Sequence, residues 1–427
     1  MRRNPWLTCL VVFAIALGIG VSMTMLTLYF LMAQNPIPHK SERLYRVQVD
    51  SWGPLSPFDS DRPERAPSQL TYRDAMAFLE SGPARRQVAM YEARLIVEPA
   101  RADQLPEEAG ARVTTGDFFD MFDVPFLYGA GWDKLADASA SQVVVLTRKA
   151  NDRYFGGENS VGEELRLNSR VFTVVGVMDN WQPIPRFYDV ITDPVNMVRD
   201  LFIPFALTAG MSLDTTGNDY GWKAESISNF NDWLQSEAAW IQYWAELEDE
   251  QAADEYRSFL DNYVSEQKKL GRFERPLNNR IHTVMQWMDY NEAVPESVKV
   301  LVGIGILFMI VCLLSSVSLL MTKFNGRTAE VSLRRALGAS RFIILNQHLI
   351  EITVMGVLGG LLGVCLTKAG LMAMKANVFL SPDGLFRMNG TLIGLAFLLA
   401  AGTSLIVGLY PAYRACLIEP GQQLKTQ

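Results

Sequence analysis

From Trp6 to Met32 the sequence runs without a single charged side chain. At about 1.5 Å per helical residue that stretch reaches about 40 Å, more than the ~30 Å hydrocarbon core of a bilayer. A cleaved signal peptide has a shorter apolar region and a small-x-small cleavage site, so the stretch reads as a permanent anchor. Three more apolar runs follow at residues 300–321, 350–368 and 390–410. Four spans place both termini on one side of the membrane.

Charge sets the orientation. Arg2 and Arg3 precede the first span, and Lys323, Arg327, Arg334, Arg335 and Arg341 lie between the second and third. Arg414 and Lys425 follow the fourth. Positive loops stay in the cytoplasm, and all three groups fall on the same side of an alternating topology. The intervening residues 33–297 carry 26 basic against 42 acidic side chains, a net charge of −16. They form a large acidic body outside the membrane, a poor partner for nucleic acid.

The predicted organisation is an N-terminus and first span over 1–34, an extracytoplasmic α/β body over 35–297 and a C-terminal membrane module over 298–427. The module divides into a span at 300–321, a cytoplasmic segment at 322–349, a span at 350–368, an outer loop at 369–389, a span at 390–410 and a tail. Cys9, Cys312, Cys365 and Cys416 all lie outside the body. At about 265 residues the body is large enough to bury a core without disulfides.

Within the body, apolar residues alternate at Tyr45, Val47 and Val49, the period of a half-buried strand. Leu70–Leu79 has helical spacing, and Gln87–Val97 is extended. Val143–Leu146 is a buried strand leading into a helix toward Phe155. Two strands flank a turn at Asn168, Ser169 and Arg170, and Trp240–Leu247 is a strand before a helix with Tyr256, Phe259, Leu260 and Tyr263 on its apolar face. Two subdomains, one inserted into the other, are the economical reading. Residues Thr208–Ala239 fit no recognised pattern.

The basic segment after the second span has a defined local grammar. Glu330 precedes Arg334 by four residues, the favourable order for a helical ion pair. Gly338 suits a left-handed C-terminal cap and Ser340 an N-cap. The expectation is a short helix over 328–337, a tight turn and direct entry into the third span. As a bland alternative, the same charges anchor topology on anionic lipid. In the third span Gly356, Gly359, Gly360 and Gly363 form overlapping small-x-x-x-small pairs. They suit either a dimer axis or an internal helix contact. Glu351, at the cytoplasmic end of that span, reads as structural rather than as a proton or substrate site.

Catalytic chemistry has little support. The chain has three histidines, His39, His282 and His348, with no nucleophile motif around them and no His/Cys spacing for zinc. The acidic run Glu246, Glu248, Asp249, Glu250, Asp254 and Glu255 is read as a helix start and solvated face rather than a metal site. Eight of the nine tryptophans lie in the body, as core rather than as a groove for an apolar ligand.

Several motifs together carry a family resemblance. Gln142–Leu146, Tyr154-Phe-Gly-Gly157, Val161-Gly162, Leu165–Asn168 and Phe172–Val177 resemble the extracytoplasmic domain of MacB-type ABC transporter permeases. Glu330–Ser340, Glu351 with the glycine-rich third span, and Pro411–Ala415 with Pro420 resemble the C-terminal module shared with lipoprotein-releasing permeases and FtsX. The resemblance implies a non-enzymatic subunit of the bacterial inner membrane. It would work as a homodimer or heterodimer with two copies of a cytoplasmic ABC ATPase, and efflux would add a periplasmic adaptor and an outer-membrane channel. Cytoplasmic closure would be relayed to the outer domains by mechanotransmission. No G-x-x-x-x-G-K-[ST] occurs in the 427 residues, so ATP and Mg are expected only through a separate ATPase, with no cofactor or metal bound directly. Glu330, Arg334, Arg335, Leu337 and Gly338 become the coupling helix. The alternatives are control of cell-wall hydrolases, lipoprotein release and, remotely, a membrane-tethered enzyme.

Overall fold

The computed structural model describes residues 5–98, 105–192 and 198–377, together with 394, 398, 402, 405 and 408–414. The chain divides into two compact units, Asn35–Ala293 and the combination of Met1–Gln34 with Val294–Gln427. Strands and helices are labelled in chain order.

In the membrane unit α1 spans Pro5–Ala33. In the body, β1 (Leu44–Gln48) and β2 (Leu70–Thr71) precede α2 (Tyr72–Ser81) and the long β3 (Arg86–Glu98). Next come β4 (Glu107–Thr114), α3 (Asp117–Met121), β5 (Phe126–Gly129), α4 (Lys134–Ala138), β6 (Val143–Thr147) and α5 (Arg148–Phe155). The hairpin β7 (Glu164–Leu167) and β8 (Arg170–Met178) leads to β9 (Leu201–Pro204), α6 (Leu207–Met211), α7 (Phe230–Gln235) and β10 (Ala239–Glu246). Helix α8 (Glu250–Lys269), β11 (Arg280–Thr283) and α9 (Val284–Tyr290) complete the body.

Among the described residues these strands make one sheet in the order β11-β1-β10-β3-β4-β9-β6-β8-β5, with β2 on β10 and β7 bonded to both β3 and β8. Pairing therefore closes a ring, β3-β4-β9-β6-β8-β7 and back to β3. Its inside is filled by alternate residues such as Leu95, Val113, Val144, Leu165, Phe172 and Ile203, all buried. The turn between β7 and β8 places Asn168 and Ser169 at φ 48° and 63°, the left-handed pair a two-residue hairpin needs.

The 13-residue β3 runs through the body, pairing with β10 over Arg86–Met90 and with β7 over Val97–Glu98. One expectation changes here. Strand β1 is buried on both faces rather than half-buried. Its Arg46 lies over the Trp287 ring of α9 at 4.9 Å, and Gln48 donates to the carbonyl of Pro67 at 3.0 Å. The polar positions of β1 thus pack under a second layer and keep partners there.

Beside the ring lies a buried charge cluster that sequence spacing did not reveal. Arg112 on β4 bonds Glu92 at 2.7 Å and also bonds Asp189, with all three side chains almost fully buried. Burial alone would push the Asp189 carboxyl up, but Arg112 and Arg186 hold it below the usual carboxylate range. The acidic run is also split. Glu246 lies buried in β10 and bonds Arg86 at 2.8 Å, whereas Asp249 caps α8 by accepting from the Ala252 N–H at 2.8 Å.

In the membrane unit, α10 (Glu296–Asn325), α11 (Thr328–Ala336) and α12 (Arg341–Asn377) join α1. Helices α1, α10 and α12 are long and apolar enough to cross a bilayer. The fourth expected span and the outer loop before it lie largely outside the described residues.

Candidate coupling site in the membrane unit

Helix α10 runs past its apolar stretch to Asn325, and two residues, Gly326 and Arg327, separate it from α11. The hinge expected over 322–349 is therefore almost wholly helical. Its end is fixed by backbone bonding. Gly338 adopts φ 96°, its N–H donates to the Arg335 carbonyl at 3.1 Å, and the Ala339 N–H donates to the Arg334 carbonyl at 3.0 Å. This is the double closure of a Schellman turn, and a side chain at 338 would strain it. The Ser340 hydroxyl then accepts from the Ile343 N–H at 3.3 Å, so α12 starts at once.

Side chains lock the short helix to the long one. Arg334 reaches Glu330 at 2.6 Å and donates to Gln347 of α12 at 2.8 Å. Val331 packs on Ile344 underneath. The outward side then presents Leu333 and Leu337, 63% and 80% exposed, next to the exposed Glu330–Arg334 pair. Arg335 is half-buried. Of the residues singled out in the sequence, Glu330, Arg334 and Leu337 share the outward side. Leu333 was missed, although its position four residues before Leu337 was the available signal.

Behind the hinge lies a second charge cluster. Lys323, fully buried near the end of α10, meets Glu351 of α12 at 2.8 Å and the Thr8 hydroxyl of α1 at 2.8 Å. Arg327 meets the other oxygen of Glu351 at 3.1 Å. Glu351 thus neutralises one cation near the end of α10 and one in the turn just beyond it, and α1, α10 and α12 share one polar knot. Only the acid at the end of an apolar run hinted at this; its partner, 28 positions earlier, did not stand out.

The glycine run of α12 lies against α1. A Cβ on Gly359 would meet the Ile15 side chain at 2.8 Å, and one on Gly363 would meet Ile19 at 2.9 Å. These two glycines therefore serve an internal helix contact, with backbones close enough that side chains would collide. Gly356 and Gly360 are buried as well. On its other side α1 meets α10, where the Ser22 hydroxyl donates to the Gly305 carbonyl at 2.7 Å.

Comparison with known proteins agrees with this architecture. Residues 8–258 match the model of the MacB-like periplasmic core domain, and residues 302–420 match the FtsX-like permease C-terminal model. The Macrolide export ATP-binding/permease protein MacB of Azoarcus sp. is 25% identical over 321 residues, covering 75% of this chain and 43% of that protein. The Pyoverdine export ATP-binding/permease protein PvdT of Pseudomonas aeruginosa is 21% identical over 432 residues, covering 100% of this chain and 57% of that protein. An uncharacterized ABC transporter permease of Bacillus subtilis, YvrN, is 24% identical over 313 residues, covering 72% of this chain and 68% of its own length. The chain thus spans about half the length of the curated export proteins it matches. Among solved structures, the periplasmic region of MacB from Actinobacillus actinomycetemcomitans aligns with 62% of this chain and 99% of its own, at 13% identity and a TM-score of 0.38. With a family model covering more than half its length, the chain belongs to the MacB-like and FtsX-like ABC transporter permeases.

Proposed function

We propose that this chain is the transmembrane subunit that passes ATP-driven movement from a separate cytoplasmic ATPase to its own periplasmic domain. The observation that supports it most is the short capped helix α11, which offers Leu333 and Leu337 outward while the Arg334–Gln347 hydrogen bond and the packing of Val331 on Ile344 tie it to α12. Exposed leucines on a rigid, basic helix suit docking in a protein groove better than lipid anchoring alone, where arginines would suffice. In this reading Arg334 and Arg335 flank the contact, and two ATPase subunits supply ATP and Mg to a dimer of permeases.

The positive-inside pattern orients both termini and α11 toward the cytoplasm, with residues 390–410 as a fourth span. The work done is export, the role named in its MacB and PvdT relatives, and in this reading the substrate comes from the periplasm or the outer leaflet. Purification of the full chain from its native membrane tests this. An ATP-binding subunit together with a periplasmic adaptor and outer-membrane channel supports export; a cell-wall hydrolase or a lipoprotein chaperone in their place contradicts it. Charge reversal of Arg334 and Arg335 is expected to abolish stimulated ATP hydrolysis while leaving insertion intact. An inverted topology would instead assign these residues to anchoring.

A further inference from the structure

The stretch 213–229, which fits no recognised pattern in the sequence, forms no helix or strand, and its residues 222–224 wall a cavity of about 570 Å³ in the periplasmic body together with the loop 51–56, Glu237 and residues 271–274. That volume lies within the ~300–1,000 Å³ common to small-molecule sites. Trp52 and Trp222 are among its lining residues, and Phe273 joins its wall to the core. Gly53 lies so close under the Trp222 indole that a Cβ there would meet the ring at 2.5 Å.

The walls are held in place from behind. Trp52 packs edge-on against Phe58 and Phe58 against Tyr220, each at 5.1 Å, and Tyr220 pairs with Ala239 at the start of β10. Arg275 donates to the Ser56 carbonyl at 3.0 Å. Phe273 is fixed at φ 51°, a backbone an aromatic residue adopts only when its surroundings impose it.

Charge then separates the possible ligands. Arg272 is taken up by Asp74 at 2.8 Å and Glu237 at 2.8 Å, and Lys223 lies 3.7 Å from Glu225. Glu274 also lines the cavity; its backbone carbonyl accepts from Lys268 at 3.4 Å, and among the described residues no ion pair takes its carboxylate. Ring faces attract cations, and an unpaired carboxylate adds a counter-charge beside them. We infer that this cavity is a binding site for a protonated organic amine with an aromatic or bulky apolar body, the body held between Trp52 and Trp222 and the ammonium at Glu274. The net charge of −16 over residues 33–297 favours arrival of such a cation. The site stands independently of the coupling role of α11.

Tryptamine and its neutral analogue tryptophol test this, by saturation-transfer NMR on the full chain in phosphatidylcholine nanodiscs, with empty discs as the blank. Saturable tryptamine binding is expected, stronger than tryptophol by about fivefold. The exposed substitution Glu274→Gln is expected to remove that preference while keeping the shared aromatic binding, and Trp222→Leu to weaken both probes. Absence of saturable tryptamine binding, equal binding of the two probes, or a preference that survives Glu274→Gln overturns the assignment.

Discussion

Lys323 and Glu351 meet at 2.8 Å behind the hinge, with the lysine side chain wholly buried. The two partners are not equivalent. Glu351 keeps Arg327 if the lysine is removed, whereas among the described residues Lys323 without Glu351 keeps neutral partners, Thr8 and the Met355 sulfur. Glu351→Leu is therefore expected to destabilise the membrane unit by about 3–5 kcal/mol, the range for stranding a buried charge, and Lys323→Met by clearly less. Thermal unfolding of both variants in nanodiscs checks the order. Equal losses would show that the acid does not depend on Arg327.

The glycine contact makes a steric prediction. Gly359→Val would drive a branched side chain into Ile15, which a single Cβ already meets at 2.8 Å. The expected cost is about 1–3 kcal/mol of overpacking. A compensating Ile15→Ala in the same chain should restore much of the thermal stability. Failure of the pair to recover any stability would mean that the two helices do not meet at this point.

In the body, Arg112→Met leaves Glu92 and Asp189 buried with their strongest partner gone. Arg199 still reaches Glu92 and Arg186 stays 3.4 Å from Asp189, but two fully buried carboxylates then face one fully buried guanidinium. A drop of about 3–5 kcal/mol is expected from urea unfolding. A loss below ~1 kcal/mol would show that the cluster opens to water.

Two titrating groups in the body act in opposite directions. Burial pushes the Asp137 carboxyl up to about 6, although the Gly116 N–H and the Trp132 indole N–H both donate to it, at 2.6 and 2.7 Å. Its folded value exceeds the unfolded one of ~3.9, so the stability it contributes is present at low pH and is lost as pH rises through about 6. Burial and Arg280 push His282 down to about 4. Its folded value lies below the unfolded one of ~6.5, so its contribution is present above that value and is lost as pH falls toward 4. On acidification from neutral pH, His282→Gln should therefore lose less stability than the parent and Asp137→Asn should lose more. Urea unfolding at several pH values reads both slopes, and slopes that shift the same way in the two variants contradict the account.

What could be read from the sequence was what local spacing encodes. The charge-free run into Met32, the Glu330–Arg334 pair and the glycine at 338 each act within a few residues, and each appears in the structure as a helix, an ion pair and a left-handed turn. Relationships across the chain were hidden. Arg46 looked like the outward residue of a strand because its neighbour Trp287 comes from α9, far along the chain. The Arg112–Asp189 bond joins residues 77 positions apart, and no spacing rule reaches that far.

The central claim is that α11 docks an ATPase through its exposed leucines. Quantitative pull-down of the ATP-binding subunit on the full chain carrying Leu333→Asp and Leu337→Asp tests it most directly. Loss of at least about tenfold in captured ATPase, with normal membrane insertion, is the predicted result. Undiminished capture of the ATPase by the inserted double variant would contradict it.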